Sequence, residues 1–195
     1  MNPVLNQNLF FVKEHVGMFK AANNFDIYDP ESQEMLMNCR EDNLGFFTKM
    51  LRFTDYKRMT PFEIEIKTSS GEKVLTVKRG ISLFLSTVEV YDDQNQLMGK
   101  FKQKFFSLGG KFSILDANDN ELCMLKGKWT GWDFKFIKDN MEFARVTKKW
   151  SGMGKELFTS ADNYILQIED SVPENNRLRI LILAAVMCID MVLKE

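Results

Sequence analysis

The sequence predicts a mainly β protein, a closed antiparallel barrel of about a dozen strands threaded by a hydrophobic helix at its C-terminal end. Three features carry that prediction. Short alternating segments recur, each running into an Asp-, Asn- or Gly-rich turn. These units repeat at a nearly constant spacing. Ten consecutive apolar residues, Ile180 to Ile189, lie close to the chain end. Alternation at period two places the apolar side chains of a strand on one face, and so many strands in one open sheet would curl or close.

In chain order, a first strand is expected near Phe10 to Lys13, and Phe25-Asp26-Ile27-Tyr28 then precedes the turn Asp29-Pro30-Glu31-Ser32. The segment from Glu41 to Pro61 reads as a long loop or a short helix. Phe62-Glu63-Ile64-Glu65-Ile66 leads to Thr68-Ser69-Ser70-Gly71, and Val88-Glu89-Val90-Tyr91 to Asp92-Asp93-Gln94-Asn95. Phe112-Ser113-Ile114-Leu115 leads to Asp116-Ala117-Asn118-Asp119, and Phe134-Lys135-Phe136-Ile137 to Lys138-Asp139-Asn140. A last strand is expected near Tyr164 to Ile168. Val88, Phe112 and Phe134 are 24 and 22 residues apart, the mark of a repeated strand-turn-strand unit. Lys128-Trp129-Thr130-Gly131 returns 21 residues later as Lys149-Trp150-Ser151-Gly152.

Pro173 and Glu174 fit the start of a helix over about 174–193. Its run is apolar on every side, so it must be covered all round by protein or by lipid. Leu178 to Leu193 is 16 residues, about 24 Å at 1.5 Å per residue, against the roughly 20 apolar residues of a membrane crossing. Arg179 and Asp190 shorten the apolar span further. Burial inside the barrel is therefore expected, with Ile180, Leu183, Val186 and Met187 at the helix core. The chain reads as one domain over 1–195, barrel about 8–172.

Composition narrows the function classes. In 195 residues, 45% are hydrophobic and 27% charged, with a net charge of -1, which excludes disorder and a global basic field for nucleic acid. Cys39, Cys123 and Cys188 lack metal or redox spacing and fit a reducing compartment. No targeting peptide is visible at the start. His15 is the single histidine, which excludes histidine-cluster metal sites and leaves a catalytic pair nothing else to build on. Asp116, Asn118 and Asn120 have the spacing of the first calcium ligands of an EF-hand, but Glu121 stands at the required glycine and Gly127 at the bidentate carboxylate, so a hairpin turn is the better account.

Two basic features remain as candidate contacts for lipid headgroups or a membrane surface. Lys100, Lys102 and Lys104 alternate with Phe101 and Phe105 along one strand. Lys49, Arg52, Lys57 and Arg58 lie with two aromatics between positions 49 and 58, a mix suited to anionic headgroups. Trp129, Trp132 and Trp150 read as barrel packing.

Lys149-Trp150-Ser151-Gly152, Phe158-Thr159-Ser160-Ala161-Asp162-Asn163-Tyr164 and the helix from Ala184-Ala185 through Cys188-Ile189-Asp190 together resemble the phospholipid scramblase family. Asn23-Asn24-Phe25-Asp26-Ile27 and Thr60-Pro61-Phe62 are similar to further landmarks of that family. The resemblance implies a tubby-like fold, a twelve-stranded barrel around a central hydrophobic helix, and an ATP-independent movement of phospholipids between leaflets without covalent catalysis. It departs in three places. Ser160 and Ser171 stand where the family's calcium segment carries Asp, leaving Asp162 as the single acidic residue at a ligand position, so no cofactor is expected and any calcium role rests on Asp162. The cysteine cluster that is palmitoylated in animal members is missing from Ile81 to Thr87, and the proline-rich N-terminal arm is missing too. The rival expectation is a soluble barrel that binds lipid or docks a protein partner without moving lipid. The chain is expected to be a cytoplasmic monomer at the cytosolic face of a membrane, with no nucleic-acid partner.

Overall fold

Alternation becomes pairing in twelve strands: β1 (Leu9–Glu14), β2 (Phe25–Tyr28), β3 (Met35–Arg40), β4 (Phe62–Thr68), β5 (Lys73–Arg79), β6 (Thr87–Asp92), β7 (Leu97–Gln103), β8 (Lys111–Asp116), β9 (Glu121–Lys128), β10 (Asp133–Lys138), β11 (Met141–Thr147) and β12 (Asn163–Ile168). The short helix α1 (Phe46–Leu51) lies between β3 and β4, and the long helix α2 (Arg177–Leu193) ends the chain. This computed structural model describes residues 1–15, 22, 24–54, 59–81, 86–104, 111–128, 132–148 and 163–193. Each strand pairs antiparallel with its sequence neighbours, and β1 closes on β12, so the sheet is a complete barrel without a free edge.

The inward positions form the core. Phe10 and Val12, Ile64 and Ile66, Val88 and Val90, Phe112 and Ile114, and Phe134 and Phe136 are at most 1% exposed. The repeat is structural as well as sequential. Thr68, Asp92 and Asp116 recur every 24 residues, and each donates its backbone N–H to the carbonyl four residues on while its side chain accepts from a turn N–H. A register shift precedes each of these hairpins, at Ile66/Lys67, Val90/Tyr91 and Ile114/Leu115. Such bulges add local twist, and their regular recurrence helps a sheet of this width to close. Asp116 holds its own turn, accepting from the N–H groups of Asn118 and Asn120, both at 2.8 Å.

Within α2, every residue from Arg179 to Ile189 is buried, including Ile180, Leu183, Val186 and Met187. The helix begins later than its sequence implies. Asn175 has a left-handed φ of 56°, which breaks helical continuity, and the Asn176 side chain accepts from the Leu178 N–H at 2.9 Å as an N-cap. Pro173 and Glu174 therefore lie in the preceding turn. Arg179, 2% exposed, ties the helix to the chain around it. Its guanidinium donates to the carbonyls of Leu5, Gln7, Val172 and Pro173 and to Asn8 Oδ1. Burial lowers its pKa from the usual guanidinium value, and this shell of oxygens replaces the lost water. At the far end Arg79, on the inward face of β5, donates to Thr60 O at 2.6 Å and lies 4.8 Å from the Phe62 ring.

The topology separates two rims. Five hairpins, β2–β3, β4–β5, β6–β7, β8–β9 and β10–β11, share one rim with the link from β12 into α2. The other rim carries the β1–β2, β3–β4, β5–β6, β7–β8, β9–β10 and β11–β12 connections, α1 among them.

Gly99 on β7 lets α2 approach the wall. A Cβ there would lie 2.3 Å from the Leu115 carbonyl oxygen and 3.0 Å from Leu181 Cδ1. Gly99→Ala is expected to lower unfolding free energy by about 1–3 kcal/mol through overpacking, read as a reduced urea midpoint with an unchanged slope.

Candidate functional site

The strand register assembles a feature that linear spacing conceals. Lys111 stands opposite Lys126, Lys126 opposite Lys135, and Lys135 opposite Arg145. The Lys104 N–H donates to Lys111 O at 3.0 Å, which brings Lys104 into the same line. Inward neighbours Phe112, Leu125, Phe134, Phe136, Ala144 and Val146 are buried, so the alternation turns these five cations outward. They form one cross-strand row that runs from the residue after β7 across β8, β9, β10 and β11, within a few residues of the loop rim. Lys104 pairs with Glu121 at 3.2 Å, Lys135 with Glu142 at 2.7 Å, and Arg145 with Asp133 at 2.5 Å. Glu121 is held below the usual carboxylate range by its bonds to Ser113 and Lys104.

The other lysines of the sequence stripe have different surroundings. Lys100 and Lys102 both reach Asp119 in the β8–β9 hairpin, at 3.2 and 3.1 Å, and lower its pKa. Directly opposite Lys100 stands Glu89. These two cations share the Asp119 carboxylate of the hairpin, whereas Lys104 pairs with Glu121 and lies in the row. Cross-strand register joins Lys111, Lys126, Lys135 and Arg145, and linear spacing carries no signal of it, because each is one unremarkable residue on its own strand.

The second basic segment divides in another way. Lys49 is exposed on α1. Arg52 is 8% exposed and is corrected from a surface contact to a buried anchor. Its Nη1 and Nη2 donate to Glu41 at 2.5 and 2.6 Å, Nη2 also to Pro61 O at 2.9 Å, and Nε to Thr60 Oγ1 at 3.3 Å. Desolvation makes a carboxylate partner necessary for a guanidinium in such a place. Lys57, Arg58, Asp162, Trp129 and Trp150 lie outside the described residues. Trp132 stacks on Tyr164 at 4.9 Å with Lys148 Nζ 3.8 Å above its ring.

His15 belongs to an ion network. Its Nε2 lies 2.5 Å from Asp26, which also binds Arg40 Nη2 at 2.6 Å and accepts from the Tyr28 hydroxyl. Desolvation works to raise the Asp26 pKa, but the bonds from Arg40 and His15 prevail and hold it below its usual value. The three cysteines are buried, and desolvation pushes the Cys123 thiol up to about 12. No helix of the described residues is long and apolar enough to cross a membrane.

A closed barrel that wraps a buried helix defines a recognisable class. The fold is similar to that of a crystal structure of an Arabidopsis thaliana protein, with a TM-score of 0.55 and 15% identity, covering 99% of this chain and 97% of that one. The family model described as Scramblase matches residues 5–195, and the chain belongs to that family. Human phospholipid scramblase family member 5 is 27% identical over 120 residues, covering 54% of this chain and 44% of its own length. Human phospholipid scramblase 2 is 23% identical over 164 residues, covering 76% and 53%. Altered inheritance rate of mitochondria protein 25 of Saccharomyces cerevisiae is 19% identical over 191 residues, covering 85% and 58%. The chain spans about half the length of these curated relatives.

Two stability measurements probe this geometry. Arg52→Met leaves Glu41 buried without its guanidinium and is expected to cost about 3–5 kcal/mol in urea unfolding, whereas Lys49→Ala changes it by about 0.5 kcal/mol or less. Because the folded Asp26 pKa is depressed, its contribution is present above the ordinary carboxylate pKa of about 4 and lost as pH falls through the lower folded value. Asp26→Asn is expected to flatten that acid limb in unfolding curves recorded from neutral to acidic pH.

Proposed function

We propose that this chain acts at the surface of anionic phospholipid bilayers, holding headgroup phosphates and carboxylates with the cation row from Lys104 to Arg145. The row is the observation that carries this reading. Like charges placed directly opposite across a sheet repel, at a cost of about 0.2–1 kcal/mol per pair, and an anionic surface turns that cost into attraction. Most of the hairpin-rim turns are acidic, with Asp29, Asp92, Asp93, Asp116 and Asp119 among them, so they sit away from the surface the row would face. The human relatives it resembles are phospholipid scramblases by name, which supports the same substrate class.

ATP-independent movement of phospholipids between leaflets is the second reading, favoured by family membership. No covalent step and no cofactor enter either reading. Translocation requires a polar headgroup to cross hydrocarbon, a cost set by desolvation. Residues Arg179 to Ile189 of α2 are enclosed by the barrel and offer no polar path for that passage, so headgroup binding is the reading preferred.

Flotation of the purified chain with phosphatidylcholine vesicles containing phosphatidylserine tests the proposal. Binding is expected to weaken as salt rises. The combined Lys111→Glu, Lys126→Glu and Lys135→Glu variant should lose about a hundredfold in affinity, and Lys100→Glu with Lys102→Glu much less. Undiminished flotation of the triple variant would overturn the row as the contact. A leaflet assay with dye-labelled lipid on the same vesicles separates binding from translocation.

A further inference from the structure

Large apolar side chains in contact with water are concentrated on and beside one small element. On α1 and the residue pair after it, Phe46 is 72% exposed, Phe47 79%, Met50 56%, Leu51 44% and Phe53 58%. A helix of six residues is far below the length that is stable in isolation, so its attachment has to hold it. That attachment is Arg52, which follows the last helical residue and is fixed to Glu41, Thr60 and Pro61 by four side-chain hydrogen bonds. The Arg52 N–H also donates to Thr48 O, closing the helix end. A costly buried ion pair thus supports an element whose own apolar side chains point away from the core.

We infer that α1 is a prong that inserts into the boundary between headgroups and acyl chains of an anionic bilayer, with Phe46, Phe47, Met50, Leu51 and Phe53 as the inserted side chains. This rests on the headgroup-binding reading above. The occupant is argued from charge and placement. α1 stands on the loop rim, the rim beside the cation row, and Ile81, 76% exposed, follows β5 on that same rim. Acidic hairpins occupy the opposite rim, so an approach that lowers α1 brings cations toward the anionic surface and carries those carboxylates away. Lys49, the charged residue within α1, has the long stem that lets an ammonium reach headgroups while neighbouring rings sink deeper. Amphipathic elements bind interfaces through this combination of apolar area and cationic charge.

The test uses the full chain carrying Phe47→Cys labelled with an environment-sensitive dye, since Cys39, Cys123 and Cys188 are buried. Adding phosphatidylcholine–phosphatidylserine vesicles is expected to shift the emission to the blue, brighten it severalfold, and make it quenchable by lipids spin-labelled near the top of the acyl chain. Phe46→Ser with Phe47→Ser is expected to reduce partitioning at high salt by about tenfold or more while leaving thermal unfolding unchanged. Flotation with the dye still in water would overturn the prong and leave headgroup binding standing. Failure of the unmodified chain to float would overturn both. Shielding of the dye that depends on protein concentration without vesicles would assign the face to a second copy and overturn the bilayer as occupant.

Discussion

Everything in this fold follows from a helix that has no polar face. Residues Arg179 to Ile189 of α2 are buried on all sides, and a single sheet surface covers only one side of a helix. Enclosure needs a wall on every side, which a closed sheet provides, and the twelve strands close β1 onto β12 with no edge left over. The requirement then propagates outward. Inward positions of the wall are large and apolar, Gly99 leaves room where α2 comes close to β7, and Arg179 at the start of the helix gathers carbonyls from both chain regions beside it. Arg79 near the helix end supplies positive charge where the carbonyl end of a helix favours it.

Because the lumen is filled, the chemistry of the protein is displaced to its outer surface and its rims. The net charge of -1 conceals an uneven arrangement. Hairpin turns use Asp because its carboxylate accepts turn N–H groups, as Asp29, Asp92 and Asp116 do, and topology gathers those turns on one rim. The cation row and α1 stand at the other. A chain neutral in sum is thereby given a direction, and that direction supports a membrane-facing role more than any single residue does.

Burial also separates side chains that look alike in the sequence. Lys49 and Arg52 are three positions apart, yet one meets solvent and the other is held by Glu41 beneath the same short helix. Lys102 and Lys104 are neighbours on one strand face, yet the first reaches Asp119 in a hairpin and the second, paired with Glu121, continues into a line of four more cations.

The hairpin pattern, the 24-residue spacing and the apolar run Ile180 to Ile189 were legible in the sequence, because strand alternation, turn chemistry and helix hydrophobicity are properties of contiguous residues. They determined a closed barrel around a buried helix, and the motif around Asn163-Tyr164 pointed to the family. The start of α2 was misplaced because capping by Asn176 and the left-handed Asn175 outweigh the ordinary signal of Pro173. Only the tertiary structure decided that Lys104, Lys111, Lys126, Lys135 and Arg145 form one row and that Arg52 turns inward. The physical reason is that cross-strand register and ion-pair burial join residues distant in sequence, so neither is encoded in any local window of the chain.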